Sequence, residues 1–320
     1  MQDLSNPLKI IDLLSDGQVY SSKELAAILG TTCAGINEHI ELIRQWGIAL
    51  TTEQGYQLIY SLDLLKYDKI AKYYQKYSAQ PIGLDVIPII GSTNQYLLNK
   101  INKLSSGSAC VAEYQQAGRG RRGRQWFSPF GSNLYLSMYW RLAQGLAAVM
   151  GLSLVIGMVV ANVLRKLSGQ DIKVKWPNDL YLNDKKLAGI LVEISAKTGD
   201  VAHVVIGVGI NLNMHAPDQH VVNQAWSNLG KIDRNLLVAH LLFSLREALG
   251  CFEKKGFAAF FAEWAPIDNF INRSVKLIID DTNIIKGICR GINPHGALLL
   301  EQDGKITPYI GGEISLRADE

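Results

Sequence analysis

Gly118-Arg119-Gly120-Arg121-Arg122-Gly123-Arg124 is followed directly by Gln125 and Trp126. Glycine raises the entropic cost of ordering a chain and neighbouring guanidinium groups repel one another, so the stretch predicts a loop, not a packed helix or buried strand. Such a loop can close over an anion. Its glycines let backbone N-H groups approach, and its arginines offer fixed forks that match carboxylate or phosphate oxygens. The bland alternatives are a solvated basic turn or a nucleic-acid patch. Two features favour a ligand loop: the regular Gly-Arg alternation, and apolar flanks at Ala109 to Tyr114 and Asn133 to Trp140 that both read as strands.

The 320 residues, 48% hydrophobic, allow two or three domains with a large core. The net charge of +3 is uneven. Residues 1–60 hold three basic and seven acidic side chains, a net of −4, which leaves +7 for the rest. Cys33, Cys110, Cys251 and Cys289 are far apart, form no C-x-x-C pair, and with no apolar signal segment at the start point to a reducing cytoplasm. Leu146 to Leu164 is uncharged and just long enough to span a membrane. That would put the arginine loop and the turn at 177–179 on opposite sides of a bilayer, so a buried helix on a sheet is expected and no membrane partner.

Before the loop, Asn6-Pro7 predicts a helix to about Ser15, and Ser21 with Glu24 a capping box for a second helix ending at Gly30. A third helix starts near Thr31 or Thr32 and carries Ile36, Ile40 and Ile43 on one face. A hairpin follows over 48–52 and 56–59. Three helices and a hairpin predict a winged helix-turn-helix, with its motif at about 22–41 and Ser22, Thr32, Asn37 and Arg44 as DNA contacts. The acidic balance, with Glu38 and Glu41 on the same helix, works against tight binding to phosphate. Residues 61–77 read as a further helix, Val86 to Ile90 as a strand, and Gly91-Ser92-Thr93-Asn94 as the cap of a helix over 95–104.

After the loop, a strand over 172–176 ends at Pro177-Asn178-Asp179, and a hairpin turns at Asn183-Asp184 into a strand over 186–193. Another strand covers 201–210, and a long helix 233–255. Short strands from 274 to 316, with turns at Asp280-Asp281, Asn293 to Gly296, Asp303-Gly304 and Gly311-Gly312, predict a small barrel. The six histidines have no zinc-site spacing, no protein-held metal is expected, and neither a nucleophile elbow nor a P-loop occurs.

Five motifs in order resemble the biotin protein ligases: Gly91 to Asn94, Gln115 to Arg124, Lys175 to Asp179, Lys186 to Gly189 and Gly207 to Asn211. With both flanking domains the chain resembles the bifunctional biotin ligase and biotin operon repressor family. The resemblance implies an α+β multidomain protein. Residues 1–60 would be the winged helix-turn-helix, 61–270 a class II aminoacyl-tRNA synthetase-like α/β domain with a mixed sheet, and 271–320 an SH3-like small barrel. Departures fall at Cys33 and Glu38, where the repressor pattern is basic, and at a wing shortened around Gln54-Gly55.

The resemblance also implies the chemistry. Biotin and ATP, with Mg2+ on the phosphates, give biotinyl-adenylate, and a lysine of the biotin carboxyl carrier protein takes the acyl group. Lys186, Arg121 and Arg119 would be catalytic. Ser92, Thr93, Asn94, Gln115 and Gly120 would join those three in holding biotin, and Arg122, Lys175, Asn178, Asp179, Asn211 and Trp226 would hold the nucleotide. Operator DNA and, with adenylate bound, a second copy of the chain would be partners. Competing readings are a ligase whose winged helix does not bind DNA specifically, a biotin sensor without transfer activity, and lipoate ligation.

Overall fold

The computed structural model describes residues 4–143, 151–196, 201–215, 224–279, 283–310 and 315–319. The chain opens with α1 (Ser5–Leu14), which buries Ile10, Ile11 and Leu14. It starts one residue before the expected Asn6 cap, with Pro7 in the first turn, where a missing N-H costs nothing. At α2 (Ser22–Leu29) the capping box is present: Glu24 N-H donates to Ser21 Oγ at 3.2 Å and Ser21 N-H to Glu24 Oε2 at 2.7 Å. Gly30 closes it at φ 63°, a left-handed conformation that a side chain would strain.

Thr32 caps α3 (Cys33–Gln45), which sets Ile36, Ile40 and Ile43 into the core of this domain. The hairpin is shorter than its sequence suggests, with β1 (Leu50–Thr51) paired to β2 (Gln57–Leu58). Tyr56 instead exchanges both backbone hydrogen bonds with Tyr20, at 3.0 and 2.8 Å, which ties the ribbon to the start of α2.

The helix expected over 61–77 is only α4 (Tyr67–Tyr74). Residues before it are held extended because other side chains claim their amides. Leu65 N-H donates to Glu113 Oε1 at 2.6 Å and Lys66 N-H to Asn235 Oδ1 at 2.8 Å. Arg234 Nη1 pairs with Glu113 Oε2 at 2.7 Å and also donates to Asp63 O, while Nη2 donates to Asn133 O. A buried charge survives only when paired and hydrogen-bonded; this one meets Glu113, Asp63 O and Asn133 O, while its buried Nε has no protein partner.

The central sheet has seven strands: β3 (Leu84–Ile90), β4 (Ala109–Gln115), β5 (Asn133–Leu142), β6 (Lys173–Lys175), β7 (Asp179–Leu182), β8 (Lys185–Ser195) and β9 (Ala202–Asn211). Their spatial order is β3-β4-β5-β9-β8-β7-β6, parallel only between β3 and β4. The β7-β8 turn is Asn183-Asp184 at φ 52° and 58°, matching a tight hairpin in which both residues are left-handed. On one face lies α5 (Thr93–Leu98), which ends six residues before the expected Leu104 and gives way to a 3-10 turn, Ile101–Lys103.

On the other face pack α6 (Leu152–Ser168) and α7 (Arg234–Lys255). The first part of the apolar run at 146–164 lies outside the described residues; from Leu152 it is a core helix buried on the sheet, as expected. Among the described residues α7 has the length and apolarity to cross a membrane, and 61% of that window is buried inside the protein.

The last unit is a five-stranded antiparallel sheet of β10 (Ser274–Ile278), β11 (Ile284–Ile292), β12 (Leu298–Gln302), β13 (Lys305–Tyr309) and β14 (Ser315–Ala318), in the order β13-β12-β11-β10-β14. Asp303-Gly304 is the predicted turn, both residues left-handed, and Asn293 to Gly296 another. The turns expected at Asp280-Asp281 and Gly311-Gly312 lie outside the described residues.

Candidate active site

Three local devices bring the site together. Ser92 caps α5 and leaves Thr93 and Asn94 buried at the end of β3. The arginine stretch crosses over them as a folded turn, pinned by a bridge between Arg119 and Gln125. The hairpin of β6 and β7 aims Lys175 and Asp179 from the opposite wall, and β8 brings Lys186 alongside. Together they enclose a cavity of about 840 Å3, within the size range of small-ligand sites. Every biotin-, ATP- and catalysis-assigned residue of the sequence reading lines it.

One end is a neutral polar shelf. Thr93 N-H donates to Gln115 Oε1 at 3.0 Å, Gln115 Nε2 to Ser128 Oγ at 3.1 Å, and Ser137 Oγ lies 2.7 Å from Thr93 Oγ1 and 2.5 Å from Asn94 Oδ1. Such a chain fixes donors and acceptors in place and suits a polar, uncharged head group.

The middle is electropositive, and its cations are held. Asp179 accepts from Lys186 Nζ at 2.9 Å and lies 3.2 Å from Lys175 Nζ, with all three side chains largely buried. Burial alone pushes the Asp179 carboxyl up, but the two ammonium groups outweigh it and hold the carboxyl below its usual range. Burial dominates at Lys186 and lowers its ammonium, against the pull of Asp179; at Lys175 the attractions to Asp179 and Tyr181 overcome burial and raise it. Arg121 Nη1 donates to Asn178 Oδ1 at 2.8 Å, and Arg119 Nη2 to Glu193 Oε2 at 2.7 Å.

The nucleotide assignments fare unequally. Trp226 bridges the backbone of Lys186, with Lys186 N-H donating to Ala225 O and Ser227 N-H to Lys186 O, and it lines the cavity. Arg122 lines the cavity, yet its Nη2 donates to Ile279 O at 3.0 Å, which joins the arginine loop to the C-terminal sheet.

Sequence reasoning missed five contributors. Trp126 lies on Gly189 and Gly209, where an added Cβ would come within 2.9 and 2.5 Å of its ring, and Lys186 Nζ stands 5.4 Å from the ring centroid. The paired glycines were the legible signal. Glu193 and the C-terminal Arg273, Lys276 and Arg317, the last three on the cavity wall, gave none. Among the described residues Arg119 Nε and Trp126 Nε1 are buried donors without a protein partner, and an oxygen-rich ligand would satisfy both.

The predicted DNA contacts lie in the other domain. Arg44 is paired with Glu41 at 2.6 Å, Asn37 Oδ1 accepts from Tyr56 Oη at 2.7 Å, Thr32 caps α3, and Ser22 Oγ is 3.5 Å from Tyr56 Oη.

A cavity that joins a neutral shelf to a bed of cations, closed by a glycine-arginine loop, defines a ligase that activates an acid. The chain belongs to the biotin/lipoate A/B protein ligase family, whose model matches residues 86–211, and residues 270–317 match the biotin protein ligase C-terminal domain. Within that family its full-length likeness is to the bifunctional ligase/repressors BirA. The Salmonella typhimurium and Escherichia coli K12 proteins are each 55% identical, over the whole of both chains. The Aquifex aeolicus biotin protein ligase in complex with biotin and ATP superposes with a TM-score of 0.65 at 29% identity, covering 74% of this chain and 99% of that one.

Proposed function

We propose that the protein activates biotin with ATP and transfers it to a lysine of a biotin carboxyl carrier protein. A carboxylate oxygen of biotin attacks the α-phosphorus of ATP, and pyrophosphate leaves. The carrier amine then attacks the acyl carbon of biotinyl-adenylate, AMP leaves, and an amide remains. The first step brings two anions to about 4 Å, a repulsion of about 4 kcal/mol at an effective dielectric near 20. Lys186 and Arg121 offset it, and Arg119 adds a hydrogen bond from its free Nε. No protein nucleophile is needed; the site positions the partners and stabilises charge.

The observation that carries this reading is the shelf and the cation bed in one cavity. Thr93, Asn94, Gln115 and Ser92 receive the biotin head group, Gly120 lets the loop backbone close over it, and Lys175, Asn178, Asp179, Asn211, Trp226 and Arg122 border the nucleotide. Mg2+ fits as a passenger of the ATP phosphates, since it binds through few protein ligands and the Asp179 carboxylate is engaged by two lysines. Incubation with ATP, Mg2+ and biotin, followed by a search for a biotinylated carrier lysine, separates the ligase from a passive biotin sensor; biotin supplied against lipoate sets the substrate.

The same reading makes the chain a repressor of biotin synthesis that uses the adenylate as corepressor. Three helices and a ribbon in residues 1–60 suit a winged helix-turn-helix, and the five-stranded C-terminal sheet suits an SH3-like barrel. Dimerisation is supported by β8: among the described residues its end after Ile190 pairs only with β9, leaving a free edge with Ile194 exposed. The Arg44-Glu41 pair and the acidic balance favour a second reading, a ligase whose winged helix does not grip DNA. Operator mobility shifts with and without biotin and ATP decide: tightening on their addition supports the repressor, equal shifts remove the corepressor. Four free cysteines suit a cytoplasmic setting.

A further inference from the structure

We infer that Glu193 is a positioning residue that clasps the arginine loop to the head-group shelf. It does not line the main cavity; with residues 117–125 it lines an adjoining hollow. A single carboxylate oxygen, Oε2, accepts from Arg119 Nη2 at 2.7 Å and from Asn94 Nδ2 at 2.8 Å. Asn94 is buried and committed on its other side to Ser137, so it cannot follow the loop if the loop moves. Glu193 therefore joins the arginine loop to a buried, fixed side chain through two charge-assisted bonds.

The clasp has a directional effect. With Nη2 taken by Glu193, the Arg119 guanidinium is oriented so that its Nε is a buried donor without a protein partner, open to a ligand oxygen. The carboxylate also offsets the charge of Arg119, as Asp179 offsets that of Lys186, so Arg119 supplies orientation and a hydrogen bond.

The test has two arms. In the ligand-free protein, trypsin cleavage after Arg121, Arg122 and Arg124 is followed by mass for wild type, Glu193→Ala and the isosteric Glu193→Gln. Loss of one charge-assisted bond predicts cleavage about tenfold faster for Ala, with Gln between Ala and wild type; equal rates in all three overturn the clasp. This arm does not depend on the ligase reading. The second arm rests on that reading and measures biotin KM, kcat and adenylate release for Arg119→Ala, Glu193→Ala and the double variant. The double variant is expected within about twofold of the worse single one, with the change in KM and release larger than in kcat. Multiplying effects would show that Arg119 acts without Glu193 and overturn the proposal. A wild type that exchanges no pyrophosphate would defeat the ligase reading, while the cleavage arm still decides the clasp.

Discussion

Lys186 Nζ lies 2.9 Å from Asp179 Oδ1, and both side chains are nearly sealed from solvent. On the proposed function, that ammonium is held against a carboxylate until the reacting phosphate and acid enter beside it. Lys186→Ala is expected to slow biotin-dependent pyrophosphate exchange by about a hundredfold or more, the scale of losing a preorganised charge-stabilising donor. Unchanged exchange removes Lys186 from the mechanism.

The Lys186 ammonium is lowered from 10.5, chiefly by burial. Its charged form is the useful one, so activity should be lost as pH rises through that lowered value. The alkaline limb of kcat/KM should then lie below pH 10.5. A pH-rate profile at subsaturating biotin measures it; a limb at or above the ordinary lysine value contradicts the assignment.

Asp179 titrates the other way. Its folded value lies below 3.8, so the carboxylate contributes stability above that pH, which is lost as pH falls through the lowered value. Melting curves of wild type and Asp179→Asn should differ most near neutrality and converge in acid. A gap independent of pH would mean that Asp179 matters for shape and not for charge.

Arg234 and Glu113 form a pair that is about 95% buried on each side. Arg234→Met leaves a buried carboxylate without its cation and two carbonyls without this donor, an expected loss of about 3–5 kcal/mol in denaturant unfolding. Arg234→Met with Glu113→Leu should recover part of it. Because Asp63 is held by the same guanidinium, the single change should also free the connection between the domains, readable as faster proteolysis near residues 61–66.

Gly209 admits no side chain: an added Cβ would sit 2.5 Å from the Trp126 ring. Gly209→Ala is expected to lift Trp126 off the sheet, weaken ligand binding by about tenfold or more and cost about 1–3 kcal/mol of stability. Tryptophan fluorescence on biotin and ATP addition follows it; undiminished binding would show that the ring is not part of the floor.

Much of the molecule was legible because its signals are short in range. The Ser21-Glu24 box, the Thr32 cap, the Ile36-Ile40-Ile43 stripe and the Asn183-Asp184 turn each act within a few residues, and each is where the spacing put it. Where the expectation failed, a distant partner had intervened. The stretch before Tyr67 is not helical because Glu113 and Asn235 take its amides, and Tyr56 leaves the hairpin because Tyr20 claims it.

By itself the sequence determined most of the helices, strands and turns, the family, and many of the residues that meet in the cavity, since capping, periodicity and motif spacing are written along the chain. Tertiary structure alone decided how the charges are shared. Arg119 and Glu193 are 74 positions apart and Arg234 and Glu113 are 121, and Lys175 and Lys186 meet over one carboxylate. Such pairings depend on distance and desolvation in the packed protein, and a residue's type and neighbours in sequence specify neither.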